Sequence, residues 1–322
     1  MTVNIFGAGS WGIAFSAYLS HLNYNVNLYS RNVNNIGLIP LLKNNAKSEN
    51  INSNNNINIY NDLHNFNFSD LNILAVPSSS LSDLLHKIKK NNSKYLILTK
   101  GFDLKSKLLP LDLLSSIHKI SENNIAVLSG PNHAEEVRLL KPTTSVIASK
   151  NDMFSSELQR FLSSDIFRIY TTNDVNGVQI LAAVKNVIAI ASGLCEGLML
   201  GDNAQASLIT RAINELLELK KIYNFSSDTL YGIPGIGDLL CTCYSNHSRN
   251  KMFGFNFIKT NNYNLAIKKI GMTVEGVNTA KILYNIINEN NLDMPICKEV
   301  YKIIFEGTDP MKSLNVLMNR KL

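Results

Sequence analysis

The chain has 322 residues, 45% of them hydrophobic, which is enough for two domains with substantial cores. Its formal net charge of +6 suits small anionic ligands, and the absence of basic clusters interleaved with aromatics argues against a nucleic-acid partner. The first residues enter a strand directly, with no basic segment, apolar stretch and cleavage site. We therefore expect no signal or transit peptide, and a cytoplasmic protein.

Strand and helix signals alternate through the first half of the chain. The predicted strands cover Val3–Phe6, Val26–Tyr29, Ile73–Val76, Tyr95–Thr99, Ile125–Leu128 and Thr144–Ala148. Helices are predicted at Trp11–Leu22 and Ser80–Ile88, and the asparagine-rich stretch Asn44–Asn61 is interpreted as a solvated loop or irregular helix. This alternation predicts an α/β domain with a doubly wound parallel sheet over residues 1–172.

The first predicted strand runs into the segment GAGSWG, a G-x-G-x-x-G pattern at a strand-turn-helix junction. Gly7 permits the tight turn, Gly9 lets the backbone approach a pyrophosphate, and Gly12 lets the helix pack closely on the strand. The amides at the start of the helix point toward the phosphates. This context favours a Rossmann-like dinucleotide site over an accidental glycine turn.

The end of the second predicted strand indicates which dinucleotide is bound. An NAD site usually places a carboxylate there for the ribose hydroxyls, whereas this strand ends in Tyr29, Ser30 and Arg31. A hydroxyl and a guanidinium suit the adenosine 2′-phosphate, so we predict NADPH over NADH. If Arg31 only stacks on adenine, the two cofactors would be comparable.

From Val178 onward nearly every segment has helical periodicity. Predicted helices cover the run around Lys185, Asn203–Tyr223, Ser248–Phe257, Val274–Asn290 and Pro295–Phe305. A glycine-rich turn at Gly232–Gly237 interrupts them. We therefore predict an all-α second domain over residues 173–322 that binds the substrate and carries the catalytic group.

Lys185 lies in the middle of an almost wholly apolar run, Val178–Ala191. A helix that is apolar all round is buried, and a buried ammonium is costly unless it is paired or neutralised. Proton transfer is the functional interpretation. The alternative is a lysine whose methylene chain packs in the core while its ammonium reaches solvent. The run is predicted to be too short and too polar to span a bilayer.

Four shorter segments place polar groups where ligands bind. Lys100 ends a strand; the segment Gly130–Ala134, with Asn132, follows another strand; Asp238 lies on a glycine-rich loop; and Ser248–Asn250 opens a helix. Each signal is weak alone, since surface lysines and cap serines are common. Cysteine spacing adds no metal site, because the C-x-C pair has no second pair.

Together these segments resemble one family along nearly the whole chain, the bacterial NAD(P)-dependent glycerol-3-phosphate dehydrogenases. The matching stretches are GAGSWG from Gly7, TKG from Thr99, SGPNHAEEV from Ser129, AVKNVIAIASG from Ala183, GDNAQASLITR from Gly201, GIGDLLCTCYSNHSRN from Gly235 and VEGV from Val274. Their order and length make the resemblance highly specific.

The resemblance implies a role for each matching position. Dinucleotide contacts beyond the glycine turn are implied for Ser10, Trp11, Arg31, Lys100, Ala134, Arg249, Thr273 and Glu275. Substrate contacts are implied for Lys100, Gly130, Asn132, Lys185, Asp238, Ser248, Arg249 and Asn250. Lys185 corresponds to the catalytic proton acceptor, and the neighbouring polar positions are Asn186 and Thr242.

The implied reaction is the reversible reduction of dihydroxyacetone phosphate to sn-glycerol 3-phosphate, which supplies the backbone of glycerophospholipids. A homodimer is compatible with the sequence, and no metal is expected.

Two positions depart from the family, His133 where an aromatic apolar residue is usual and Ile13 where a small threonine is common. His133 as a general acid is a minor alternative.

Two other functions stay open at this point. A β-hydroxyacid or ketopantoate-type dehydrogenase also pairs a dinucleotide domain with a helical domain and a lysine, but its substrates carry a carboxylate, whereas the Ser248–Asn250 segment matches the phosphate-binding family better. A non-catalytic NADPH sensor would not need Lys185 or Asp238, and both are present.

Overall fold

The computed structural model describes residues 2–31, 56–63, 66, 69–90 and 92–320. The chain forms two compact units. The first comprises Met1–Thr99 and Pro110–Val175, and the second comprises Lys100–Leu109 and Asn176–Leu322. The assignment of separate binding roles to residues 1–172 and 173–322 stays a prediction.

The first unit is built on a sheet with eight strands among the described residues. These are β1 (Thr2–Phe6), β2 (Asn25–Tyr29), β3 (Ile57–Tyr60), β4 (Leu71–Leu74), β5 (Lys94–Ile97), β6 (Ile125–Ser129), β7 (Thr143–Ser149) and β8 (Phe167–Thr172). The strand order is β3-β2-β1-β4-β5-β6-β7-β8. The predicted α/β fold is confirmed.

One strand pair corrects the prediction of a wholly parallel sheet. β7 runs antiparallel to β6, while every other neighbouring pair is parallel. The connection between them contains only the short helix Ala134–Arg138. A parallel pairing needs a crossover that carries the chain back along the whole strand, usually on a longer helix. A helix of 5 residues does not do this, so the chain returns antiparallel beside the strand that it left.

Helices cover the sheet in the first unit. They are α1 (Ser10–His21), α2 (Ser78–Lys87), α3 (Pro110–His118), α4 (Ala134–Arg138) and α5 (Asp152–Leu162). Val3, Ile5 and Ile73 in the central strands are fully buried, as expected where both faces of a sheet are covered.

Strand β3 contradicts part of the loop predicted at Asn44–Asn61, whose first twelve residues lie outside the described part of the chain. A row of asparagines explains how this polar segment joins the sheet. Asn58 donates to Asn27 (3.3 Å), Asn27 donates to Asn4 (3.1 Å), and Asn4 donates to Asn72 (3.1 Å). The side-chain amides therefore satisfy one another across four strands, which apolar periodicity could not reveal.

The second unit is helical. Its helices are α6 (Val175–Gly197), α7 (Asp202–Glu218), α8 (Ser227–Tyr231), α9 (Asp238–Tyr244), α10 (Arg249–Thr260), α11 (Tyr263–Ile270), α12 (Glu275–Glu289), α13 (Pro295–Phe305) and α14 (Pro310–Met318). A π-helical turn, Ile233–Gly237, lies between α8 and α9.

Helix α6 is the core element of this unit. Among the described residues it is the one helix long and apolar enough to cross a membrane, so the prediction that the run is too short and too polar is wrong by both length and composition. Its most apolar window, however, is wholly buried inside the fold, as in the core helix of a globular unit.

Two glycines bring α6 and α10 into backbone contact. A Cβ atom on Gly193 would lie 1.9 Å from the carbonyl oxygen of Lys251, and one on Gly254 would lie 2.2 Å from that of Ile190. Neither position can hold a side chain without separating the helices. Helix α10 therefore packs directly against the backbone of α6.

Candidate active site

Lys185 is buried on α6, with 6% of its surface exposed. Its Nζ donates to Oδ1 of Asp238 at 2.6 Å and to Oγ1 of Thr242 at 2.7 Å. The ammonium thus ends on a carboxylate and a hydroxyl inside the unit. This geometry does not match the alternative of a lysine whose ammonium reaches solvent.

Asp238 directly follows the glycine-rich turn before α9, and this turn positions its side chain. A Cβ on Gly235 would lie 2.0 Å from the carbonyl oxygen of Leu230, so the turn requires glycine at this position. Asp238 then opens α9, where the helix dipole stabilises a carboxylate. Thr242 follows one turn later and donates to the Asp238 carbonyl at 2.6 Å, which leaves its hydroxyl oxygen facing Lys185.

Lys100 is the second ammonium at this carboxylate. Its Nζ donates to Oδ2 of Asp238 at 3.3 Å, so Asp238 uses one oxygen for each lysine. Burial lowers the pKa of Lys100 to about 8, and repulsion from Lys185 adds to this effect, against the attraction of Asp238. Burial also acts to raise the pKa of Asp238, but the two ammoniums outweigh it and hold that pKa below its ordinary value.

The cluster therefore holds two cationic groups and one carboxylate in a largely buried setting. Such a surplus of positive charge stabilises negative charge that develops on an oxygen atom brought near it. It can both bind a carbonyl oxygen and exchange a proton with it.

The start of α10 offers a second polar group of residues. Ser248 is buried and caps the helix, accepting a hydrogen bond from the amide of Lys251 at 3.3 Å. Arg249 is half-buried in the first turn. The first amides of a helix have no partner within that helix, so this end suits an anion.

The side chain of Asn250 contacts protein groups. It donates to Oδ1 of Asn186 at 2.9 Å and accepts from the amide of Gly276 at 2.9 Å. Asn186 is in turn held by α6, because its amide donates to the Ala182 carbonyl at 3.3 Å. What Asn250 can offer a ligand is its second amide hydrogen and its backbone N–H.

Glu275 and Thr273 lie beside this group at the start of α12. Glu275 is half-buried at the first residue of the helix, and Thr273 is exposed two residues before it. A Cβ on Gly276 would lie 2.6 Å from the Asn186 carbonyl oxygen, so α12 begins in contact with α6.

The glycine turn of the first unit fits a dinucleotide. Gly7 has a φ of 117°, and a Cβ on Gly12 would lie 1.9 Å from the Gly7 carbonyl oxygen. A Cβ on Gly9, in contrast, would meet nothing within 4 Å. The second glycine therefore faces open space, where the backbone can approach a pyrophosphate.

Two neighbours of this turn have the properties expected there. Ser10 opens α1, and its N-cap Gly9 has no side chain that could occupy the first amides. The buried Nε1 of Trp11 has no hydrogen-bond partner among the described residues, which leaves a donor for a ligand. Ile13 is half-buried on the next turn.

Other predicted ligands of the first unit lie on two strand ends. After β6, Asn132 donates to Oγ of Ser145 on β7 at 2.8 Å. Gly130 has a φ of 146° and also lies in close contact with β7. His133 and Ala134 follow as N-cap and first residue of α4. After β2, Arg31 is exposed.

Comparison with known proteins gives one consistent result. Residues 2–155 match the family described as NAD-dependent glycerol-3-phosphate dehydrogenase N-terminus, and residues 174–315 match its C-terminus. The glycerol-3-phosphate dehydrogenase (NAD(P)+) of Thermoanaerobacter sp. (strain X514) is 36% identical over 325 aligned residues, which cover 99% of this chain and 97% of the relative.

Solved structures agree with the sequence comparison. The crystal structure of glycerol-3-phosphate dehydrogenase from Coxiella burnetii has a TM-score of 0.90 and 30% identity, covering 99% of both chains. The glycerol-3-phosphate dehydrogenase of Plasmodium falciparum has a TM-score of 0.85 and 27% identity, covering 100% of this chain and 96% of that one.

Proposed function

This chain belongs to the NAD-dependent glycerol-3-phosphate dehydrogenase family, and we propose that it catalyses the reversible, NAD(P)H-dependent reduction of dihydroxyacetone phosphate to sn-glycerol 3-phosphate. The observation that carries the proposal is the buried Lys185 ammonium, held by Asp238 and Thr242 beside a second ammonium. A packing role would not require that arrangement.

The dinucleotide would be held by the glycine turn and by a set of polar groups. Gly7, Gly9, Ser10, Trp11 and Gly12 form the pyrophosphate turn. The remaining proposed contacts are Arg31, Lys100, Ala134, Arg249, Thr273 and Glu275. When bound, the reduced nicotinamide supplies a hydride to the ketone carbon of the substrate.

Lys185 supplies the proton. As the ketone carbon is reduced, its oxygen gains negative charge, and the Lys185 ammonium donates a proton to it to complete the hydroxyl. In the reverse direction neutral Lys185 takes the hydroxyl proton. Asp238 and Thr242 orient the amine, and Lys100 binds the carbonyl region and stabilises its charge.

The substrate phosphate would lie at the start of α10. Arg249 contributes a charged, forked donor there, and the amides that follow Ser248 contribute the field of the helix N-terminus. Asn250 adds the donors that its contacts with Asn186 and Gly276 leave over. Gly130 and Asn132 are the remaining proposed substrate contacts.

One assay tests the activity. Purified protein with NADPH should lose near-ultraviolet NADPH absorbance on addition of dihydroxyacetone phosphate, and much more slowly with ketopantoate or without substrate. Faster turnover of ketopantoate would favour the hydroxyacid alternative. Binding of NADPH without turnover of either substrate would favour the sensor.

We further propose that NADPH is preferred over NADH, because β2 is followed by Ser30 and Arg31 and by no carboxylate at those positions. Comparing kcat/KM for the two cofactors at saturating dihydroxyacetone phosphate tests this, and equal values would contradict it. The product suits the assembly of glycerophospholipids in the cytoplasm, and we propose that role; a homodimer stays a prediction.

A further inference from the structure

Lys251, in the first turn of α10, is a buried lysine outside the cluster around Lys185. Its side chain is 6% exposed, yet its Nζ has three oxygen partners. These are the carbonyl of Tyr244 at 3.1 Å, Oδ1 of Asn246 at 3.1 Å and Oε2 of Glu196 at 2.7 Å. The first two accept hydrogen bonds from the ammonium, and Glu196 forms an ion pair with it.

The partners of Lys251 lie on three separate elements. Tyr244 is the last residue of α9, so the ammonium neutralises a carbonyl at the negative end of that helix. Asn246 lies in the turn that leads to α10, and Glu196 lies near the end of α6. One side chain therefore ties the end of α9 and the following turn to α6.

The turn held in this way leads directly to the proposed phosphate ligands. Its backbone closes with a hydrogen bond from the Ser248 amide to the Ser245 carbonyl at 3.2 Å, and Arg249 and Asn250 follow. The opposite end of α9 carries Asp238. A shift of this turn would change where α10 begins relative to the Lys185 cluster.

Glu196 is placed to make that connection. It lies eleven residues after Lys185 on α6, and eleven residues are close to three full turns, so the two side chains leave the helix on nearly the same face. The glycine contacts bring α6 and α10 together, but they do not hold the turn before α10. Lys251 contacts that turn on both sides of Ser245.

We infer that Lys251 is a positioning residue for substrate binding: through Glu196, Tyr244 and Asn246 it fixes the turn that aims Arg249 and Asn250 at the substrate phosphate. This inference rests on the proposed function. Lys251 pairs with Glu196, Tyr244 and Asn246 and not with the Lys185 cluster, so its loss should act on the affinity for dihydroxyacetone phosphate rather than on the proton step.

The test separates KM from kcat. Lys251→Met keeps the length and apolar stem of the side chain but removes the ammonium. We expect KM for dihydroxyacetone phosphate to rise about tenfold while kcat changes less than about threefold, since displacement of a binding group by a fraction of an ångström has effects of this size. Lys251→Arg should restore KM to within about threefold of the wild-type value.

Glu196→Gln provides a second variant that does not depend on replacing a buried residue. Glu196 is 43% exposed, so this change should leave the fold intact. As in Lys251→Met, KM for dihydroxyacetone phosphate should rise, here by about threefold. The matched control is Lys302→Met, which removes a lysine paired with Glu299 at 2.7 Å in the same unit but distant in sequence from α10. KM should not change in the control.

The outcomes distinguish this inference from the proposed function. A wild-type protein that does not oxidise NADPH with dihydroxyacetone phosphate would overturn both. An active wild type with unchanged KM in Lys251→Met and Glu196→Gln would overturn the positioning role alone. An equal rise of KM in Lys302→Met would also overturn it, because the effect would then follow from lost stability.

Discussion

Two buried ionisable groups in the helical unit, Lys185 on α6 and Glu215 on α7, are compensated in different ways. Lys185 meets a carboxylate and a hydroxyl. Glu215 accepts hydrogen bonds from the amides of Ile296 at 2.5 Å and Cys297 at 3.1 Å, and among the described residues no lysine or arginine forms an ion pair with it.

The difference shows what each group is for. Glu215 caps the start of α13 with neutral amides as its partners, and burial raises its pKa to about 7 despite those hydrogen bonds. Lys185 belongs to a network of charges that also holds Lys100. We therefore expect the Lys185 cluster to control turnover and the Glu215 cap to control stability.

Replacing Lys185 should have the largest effect. Lys185→Ala removes the proton donor, and kcat should fall a hundredfold or more, the scale for loss of a general acid. NADPH binding, followed by cofactor fluorescence, should persist because the glycine turn is untouched. Asp238 keeps Lys100 as a partner, so the melting temperature should change little. Near-normal turnover would remove Lys185 from the proton step.

Replacing Glu215 should show the opposite pattern. Because the folded pKa of about 7 exceeds the ordinary 4.5, Glu215 favours the folded state most below pH 4.5, and this contribution is lost as the pH rises through 7. The loss amounts to about 3 kcal/mol over that window. Glu215→Gln should lack this fall in the free energy of unfolding, measured by urea titration at several pH values, while its kcat stays close to that of the wild type.

The control for that experiment is Glu218→Gln on the same helix. A hydrogen bond from Lys221 lowers the pKa of Glu218, so this group does not destabilise the protein as the pH rises toward 7. In this variant the free energy of unfolding should still fall between pH 4.5 and 7, as it does in the wild type. If Glu215→Gln keeps it as well, the cap is not its source.

Replacing Arg249 tests whether phosphate binding in the helical unit can be weakened without affecting proton transfer. Arg249→Ala should raise KM for dihydroxyacetone phosphate by about tenfold to a hundredfold, the range for a charge-assisted hydrogen bond, with a smaller effect on kcat. Arg211→Ala, which removes an exposed arginine bonded to the Leu317 carbonyl, is the control. Unchanged affinity in Arg249→Ala would place the phosphate elsewhere.

The smallest effect at neutral pH should come from Lys100→Arg. Lys100 carries its charge below its pKa of about 8 and loses it above, so wild-type kcat/KM should fall about tenfold per pH unit beyond 8. Arginine stays charged throughout, and its variant should lack that decline, although its larger head lowers the plateau. A decline near pH 8 that persists in the variant would assign the titration to another group.

Much of the first unit could be predicted from the sequence because its signals are local. The strand before Gly7, the turn and the helix after it follow from apolar runs and glycine spacing within a dozen residues. The antiparallel pairing of β7 and the asparagine row through Asn4 could not be predicted. Both depend on which strands become neighbours, and periodicity along one strand does not contain that information.

By itself the sequence determined that the helix carrying Lys185 is buried, since burying so many apolar side chains decides where α6 lies whatever its partners are. Tertiary structure decided the contacts themselves, in which Asp238 pairs with both Lys185 and Lys100 and Lys251 joins three elements. The physical reason is range: apolar burial is non-directional and summed along a segment, whereas ion pairs and hydrogen bonds act within a few ångströms between residues that only folding brings together.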